Sequence, residues 1–268
     1  MKFGICVNLL KKDPTDVGID YIEKIAEWGY DYIELPVSEM MLLSDADFAV
    51  LKDRVQGADI PCRALNSFFP PSLKLTGKEV DHQAVRAYYS KAMSRANALG
   101  AKYMVFGSPW SRAVPAGFSM DQAYQQLLEL IRQMGTVAAE NNVVVAVEHN
   151  NHTETNILNQ LNEVGKLVVE VNHPHIKVLV DYYHIRVENE PIDWVIHYGD
   201  LIVHSHFARF QGRGFPTTLS EDELYIPYIK ALHEIQYKGG VSIEAYSDDL
   251  ETDAPATLQF LKTNFMKG

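Results

Sequence analysis
Two hydrophobic rhythms alternate along the chain. Short, largely β-branched apolar runs recur at 2–8, 32–35, 61–65, 102–106, 143–147, 176–181, 201–206 and 241–244. Runs this short and this continuous read as strands buried on both faces, as in a parallel sheet. Between them lie longer stretches with apolar residues three and four apart, the spacing of a helix with one buried face. Ile19, Ile22, Ile25 and Ala26 form one such stripe, with Gly29 placed to end it. Helices are expected over 15–28, 44–56, 81–99, 119–140, 157–171, 191–198, 221–236 and 254–266. Ser44 with Asp47, and Ser119 with Gln122, have the spacing of a capping box. Pro227 is expected to kink or delay its helix. Strand and helix alternate with no composition break, linker or low-complexity tract, which predicts an α/β fold: a single (β/α)8 TIM barrel over 1–268, joined by right-handed crossovers. The length of 268 residues suits one such barrel, typically ~250 residues.

The last four strands share a further pattern. Each apolar run ends in a polar tip: Glu148, Asp181, His206 and Glu244. A carboxylate at the end of one buried strand is ordinarily a salt bridge, because burying it unpaired costs several kcal/mol. Four consecutive strands ending this way are poorly explained as separate salt bridges. In this architecture functional residues gather at the C-terminal ends of the strands, so the four side chains are expected to converge at the mouth. Strand alternation puts His204 and His206 on one face, and only the outer of the two reaches the mouth. His204 then lies a layer deeper, as a core histidine or a partner of the outer ligand. Three carboxylates and one imidazole are a mostly hard donor set, suited to Mn²⁺, with Mg²⁺ or Co²⁺ as alternatives. Without a cation, carboxylates this close would repel one another and take up protons.

Composition narrows the partners. A balance of 24 basic to 35 acidic residues, net −11, disfavours nucleic acid, since phosphate binding runs on Lys and Arg. Cys6 and Cys62 sit in strand-like runs and read as small core residues, which fits a reducing cytoplasm. The N-terminal apolar run is too short for a secretory segment, and no window approaches a membrane span of ~20 apolar residues. Residues 67–81 form a long loop with two prolines and two phenylalanines, either a cover over the mouth or a packed crossover. Glu34 and Asn66, near the ends of the second and third strands, are expected at the rim; Phe68 and Trp110 are candidates for an apolar pocket floor.

At these residues the chain resembles the sugar isomerase/epimerase superfamily that shares the xylose-isomerase-like barrel, most closely the ketose 3-epimerases of the tagatose/psicose type. The quartet Glu148, Asp181, His206 and Glu244 matches that family's metal ligands. Glu154, six residues after Glu148, and His184 in the run DYYH match residues that hold substrate. Arg213 is the nearest match to the family's arginine after the His-x-His strand, one place late, with Arg209 a weaker claimant. The run FGSPWSRAVPAGFS is similar to a Gly-Ser loop of the family but lacks the doubled glycine. The resemblance implies a small carbohydrate substrate, Mn²⁺ or a similar ion, and a homo-oligomer. It also implies proton abstraction beside a carbonyl through an enediolate, with Glu148 and Glu244 exchanging the proton and Glu154, His184 and Arg213, with Asn66 and Glu34, holding the sugar. Dehydration of a keto-inositol and eliminative deglycosylation of a 3-keto glycoside begin with the same step and stay open as lyase alternatives. Abasic-site endonucleases on this barrel need more histidines than the third and fourth strands supply; a non-catalytic binding subunit would have no use for an intact quartet.

Overall fold
The computed structural model describes residues 1–10 and 15–266. Eight parallel strands close in sequence order into a barrel: β1 (Lys2–Cys6), β2 (Tyr32–Pro36), β3 (Cys62–Asn66), β4 (Tyr103–Phe106), β5 (Val144–Glu148), β6 (Ile176–Asp181), β7 (Ile202–Phe207) and β8 (Gly240–Ile243). The helices are α1 (Ile22–Glu27), α2 (Val37–Met40), α3 (Asp45–Gly57), α4 (His82–Leu99), α5 (Pro109–Arg112), α6 (Met120–Glu140), α7 (Leu161–Val171), α8 (Tyr182–Glu188), α9 (Asp193–His197), α10 (Tyr225–Glu234) and α11 (Leu250–Phe265). This is the (β/α)8 barrel expected from the alternation.

The strands are buried on both faces, but the two faces differ chemically. Outward side chains such as Ile5, Ile33, Leu35, Met104, Phe106, Val145, Val147, Val178, Val180 and Ile243 join the helices in one large apolar core. Inside the barrel lies a small, separate apolar cluster of Val105, Ala146 and Leu179. Much of the remaining interior is polar or aromatic: Tyr32, Glu34, His204, His206 and Ser242 are all buried. Gly4 makes room for the Tyr32 ring, because a Cβ there would lie 2.2 Å from it.

Several elements depart from expectation for identifiable reasons. The helix expected from 157 begins at Leu161, where the Glu163 carboxylate accepts the N–H groups of Asn159 and Gln160. Ile157 and Leu158 are buried as part of a loop instead, so burial imitated a helical stripe. The helix expected from 221 starts at Tyr225, with Pro227 in its first turn, where a missing N–H leaves no bond unmade. The helix expected from 254 starts at Leu250 and runs through Pro255. The first helix is shorter than its stripe, since Ile19–Tyr21 is a separate 3-10 turn. Both capping serines accept the expected N–H, from Asp47 and Gln122. Among the described residues no helix is long and apolar enough to cross a membrane.

Candidate metal centre and its pocket
The C-terminal ends of β5 to β8 bring four side chains together. Glu148 and Asp181 are the last residues of β5 and β6, His206 is next to last in β7, and Glu244 follows β8, its N–H donating to Phe207 O. Glu148, Asp181, His206 and Glu244 each offer one donor atom, and these atoms all lie within 4.8 Å of one another. All four residues are buried. His206 Nδ1 faces the group, 2.9 Å from Glu148 Oε1 and 3.4 Å from Glu244 Oε2.

Charge is crowded here. Burial pushes the Asp181 carboxyl up to about 6; Glu148 and Glu244 add to the push and Arg213 opposes it. Burial also works against ionised Glu244, but Arg213 and His206 outweigh it and hold that carboxyl down at about 2. Burial disfavours the charged His206 ring, yet Cys6, Glu34, Glu244 and Glu148 together raise its pKa well above the usual range. Among the described residues Asp181 Oδ2 has no hydrogen-bond partner; the neutral His184 ring lies 3.4 Å away at Nε2 and the Arg213 guanidinium 3.7 Å away. An orphaned carboxylate oxygen aimed at two further carboxylates and a ring nitrogen is an arrangement that a divalent cation satisfies. The donor chemistry therefore fits such an ion.

Each ligand position is set by its strand. A Cβ on Gly107, just after β4, would lie 2.3 Å from Glu148 Oε2, so only glycine leaves that carboxylate its place. Arg112 in α5 is fully buried beneath it and donates to the carbonyls of Glu148 at 2.8 Å, Leu158 at 3.2 Å and Phe106 at 3.4 Å. Asp181 Oδ1 caps α8 by accepting the Tyr183 N–H at 2.7 Å. Glu244 Oε1 accepts from Asn8 at 2.8 Å and Asn66 at 3.4 Å, while Arg213 donates to its other oxygen.

A pocket of about 390 Å³ opens above the group, lined in part by Asn8, Asn66, Phe69, Trp110, Glu154, Arg213 and Tyr246. Arg213 spans it, 3.2 Å from Glu154 Oε1, with its guanidinium 4.7 Å from the Tyr183 ring centroid. Burial raises the Glu154 carboxyl to about 7 against the pull of Arg213. Three non-glycine residues on this wall, Ser67, Ser108 and Arg213, hold left-handed backbone conformations, φ 49°, 48° and 44°. Such strain persists only where surrounding structure imposes it, and it gathers at functional sites.

His184 is fully buried below Glu154, its Nε2 3.1 Å from Asn150 Nδ2 and its Nδ1 2.8 Å from Asn151 Nδ2. Burial depresses its pKa well below the usual value and keeps the ring neutral.

Two expectations, one for the rim and one for the pocket floor, need correction. Glu34 is not at the rim: β2 runs on to Pro36, so Glu34 sits a layer below the tip, fully buried between His204 and His206. Phe68 does not floor the pocket either; it is buried, stacked on Phe69 at 4.3 Å, and Phe69 takes the pocket position. Asn66 does line the pocket, and His204 lies below His206. Arg209 bonds the Gln211 carbonyl and stays outside the pocket. The 67–81 loop is both packed and pocket-facing, since Phe69 and Pro71 line the cavity. Sequence reasoning passed over Asn8 and Arg112. Asn8, just past β1, was within reach of the strand-tip rule that singled out Asn66, whereas nothing in the pattern marks an arginine in a one-turn helix as buried.

The family described as the xylose isomerase-like TIM barrel matches residues 22–264. A D-psicose 3-epimerase of Ruminiclostridium cellulolyticum is 26% identical over 243 residues, covering 84% of this chain and 77% of that one. A solved D-psicose 3-epimerase from Clostridium cellulolyticum, with D-tagatose, superposes with TM-score 0.87 at 22% identity, over 99% of each chain. A 3-keto-D-glucoside 4-epimerase from E. coli superposes with TM-score 0.81 at 18% identity, over 98% of this chain and 99% of that one.

Proposed function
This chain belongs to the xylose isomerase-like TIM barrel family, and from that membership we propose that it is a divalent-metal-dependent sugar epimerase, inverting a carbon beside the carbonyl of a keto sugar. The observation that carries the reading is the convergence of Glu148, Asp181, His206 and Glu244 within 4.8 Å under a pocket of about 390 Å³. That volume lies in the usual range of small-ligand pockets, ~300–1,000 Å³. The relatives named as ketose 3-epimerases support the substrate class.

Glu148, Asp181, His206 and Glu244 would hold the cation. Bound there, a divalent ion, Mn²⁺ by the hardness of the donors, supplies Lewis-acid stabilisation of negative charge building on a carbonyl oxygen. The residues do the rest. Glu244, paired with Arg213, accepts the proton from one face of the carbon. Glu148, reaching the same space from β5 and carrying a proton taken from solvent, donates it from another side; delivery to the opposite face yields the epimer, and Glu244 gives up its proton to solvent before the next turnover. Arg213 and Glu154 face the pocket side by side and bind sugar hydroxyls, joined by Asn8 and Asn66. His184, neutral and held at Nδ1 by the Asn151 backbone and side-chain N–H groups, sets the wall behind them.

A second reading, elimination from a 3-keto glycoside, draws on the mouth of the pocket, where Trp110 and Tyr246 are 59% and 55% exposed and leave apolar surface for a second group. One experiment separates the two. Incubation in D₂O with Mn²⁺ and a panel of ketoses and 3-keto glycosides is expected to place deuterium on the carbon beside the ketone of a free ketose and to give its epimer. Release of an aglycone without epimer would replace the first reading by the second.

A further inference from the structure
A buried polar cluster outside the pocket lies one layer below the four convergent donors, and no step of the reaction uses it. At its centre is the Glu34 carboxylate. Oε1 is 2.9 Å from His206 Nε2; Oε2 is 2.8 Å from His204 Nε2 and accepts from Ser242 Oγ at 2.6 Å. Tyr32 Oη, 2.8 Å from Ser242 Oγ, closes the chain on the far side. These partners come from β2, β7 and β8.

An ionised carboxylate only accepts hydrogen bonds, so each of these neighbours must present a proton to it. Ser242 does so with its hydroxyl. His204 does so from Nε2, and its Nδ1 has no partner in the interior. His206 must then keep a proton on Nε2, so Nδ1, which faces Glu148 and Glu244, is the nitrogen whose lone pair a cation would take in place of a proton. The other atom near Nε2 is Cys6 Sγ at 3.7 Å, too long and too weak to dictate the tautomer. Burying a carboxylate this deeply is costly, and filling the same space needs no charge.

We infer that Glu34 is a positioning residue of the metal centre: by accepting the Nε2 proton of His206 it fixes the imidazole tautomer and orientation that present Nδ1 to the cation. The inference rests on the metal reading above. Carboxylate partners of metal-bound histidines act in this way, and losing one typically costs about 10–100-fold in metal affinity.

The test uses Zn²⁺, which is diamagnetic, and the full chain with ¹⁵N-labelled histidine. Long-range ¹H–¹⁵N NMR of the zinc-loaded wild type is expected to show His206 protonated at Nε2 with zinc at Nδ1. Competition against a chromophoric chelator should show zinc affinity about 10–100-fold weaker in Glu34→Gln, while the near-UV circular dichroism of the zinc-free variant matches wild type. Zinc on Nε2 in the wild type, or equal affinity in wild type and variant, overturns the inference and leaves the metal reading standing. A wild-type chain that takes up no zinc fails the metal reading itself, and this inference with it. Should Glu34→Gln fail to fold, the wild-type tautomer decides alone.

Discussion

Replacing Glu244 by glutamine is expected to lower turnover by about 10³-fold or more while leaving the fold intact. The amide keeps the shape of the side chain and can still accept from Asn8 and Asn66 through its oxygen. What it loses is the capacity to take a proton, and removal of a positioned general base ordinarily costs ~10²–10⁴-fold. It also loses one charged donor to the cation and the ionic partner of Arg213, so metal affinity should weaken too. Steady-state kinetics at saturating Mn²⁺ separates these effects, because the proton-transfer loss persists when the metal site is filled. Retention of more than a tenth of wild-type turnover would take Glu244 out of the proton transfer. Unchanged function would favour a binding role for the whole protein.

Arg112→Met is expected to destabilise the chain by about 2–4 kcal/mol, since each buried acceptor left without a donor costs ~1–3 kcal/mol. The Glu148 carbonyl loses its arginine donor at 2.8 Å, and the Leu158 carbonyl loses one of two donors, keeping the Asn150 N–H at 3.2 Å. Part of that cost is offset, because the methionine no longer buries a charge, and burial already depresses the Arg112 pKa to about 10. The expected fall in Tm is roughly 5–10 °C, at ~2–4 °C per kcal/mol for chains near this size. Since one of the freed carbonyls belongs to Glu148, metal affinity should fall with stability. Calorimetry with and without Mn²⁺ checks both; a variant as stable as wild type would mean that water or neighbouring groups satisfy these carbonyls.

The barrel was legible because its strands are short runs buried on both faces with few charged residues among them, a pattern that helices do not share. Strand β6 was bounded as expected, since His175 and Tyr182 flank a run that ends in a charged residue. One-turn helices such as α2 and α5, and the two-turn α8, carry too few residues for any periodicity and left no trace. The candidate site was legible where chemistry stood at a strand tip, which brought out the quartet, and in Glu154, His184 and Arg213 through a family pattern. It was not legible where depth mattered. Glu34 and Glu148 look alike in sequence, each a glutamate at the end of an apolar run, yet β2 continues to Pro36 and β5 stops at Glu148. Two residues of strand length therefore separate a buried support from a mouth-facing donor. Arg112 was hidden for a related reason: its surroundings are backbone carbonyls, which every sequence has.

The most direct measurement is anomalous diffraction at the manganese edge from crystals soaked in Mn²⁺. One strong peak bounded by Glu148, Asp181, His206 Nδ1 and Glu244 is the predicted result. No peak at the mouth of the barrel, or an ion held away from these four side chains, would contradict the account.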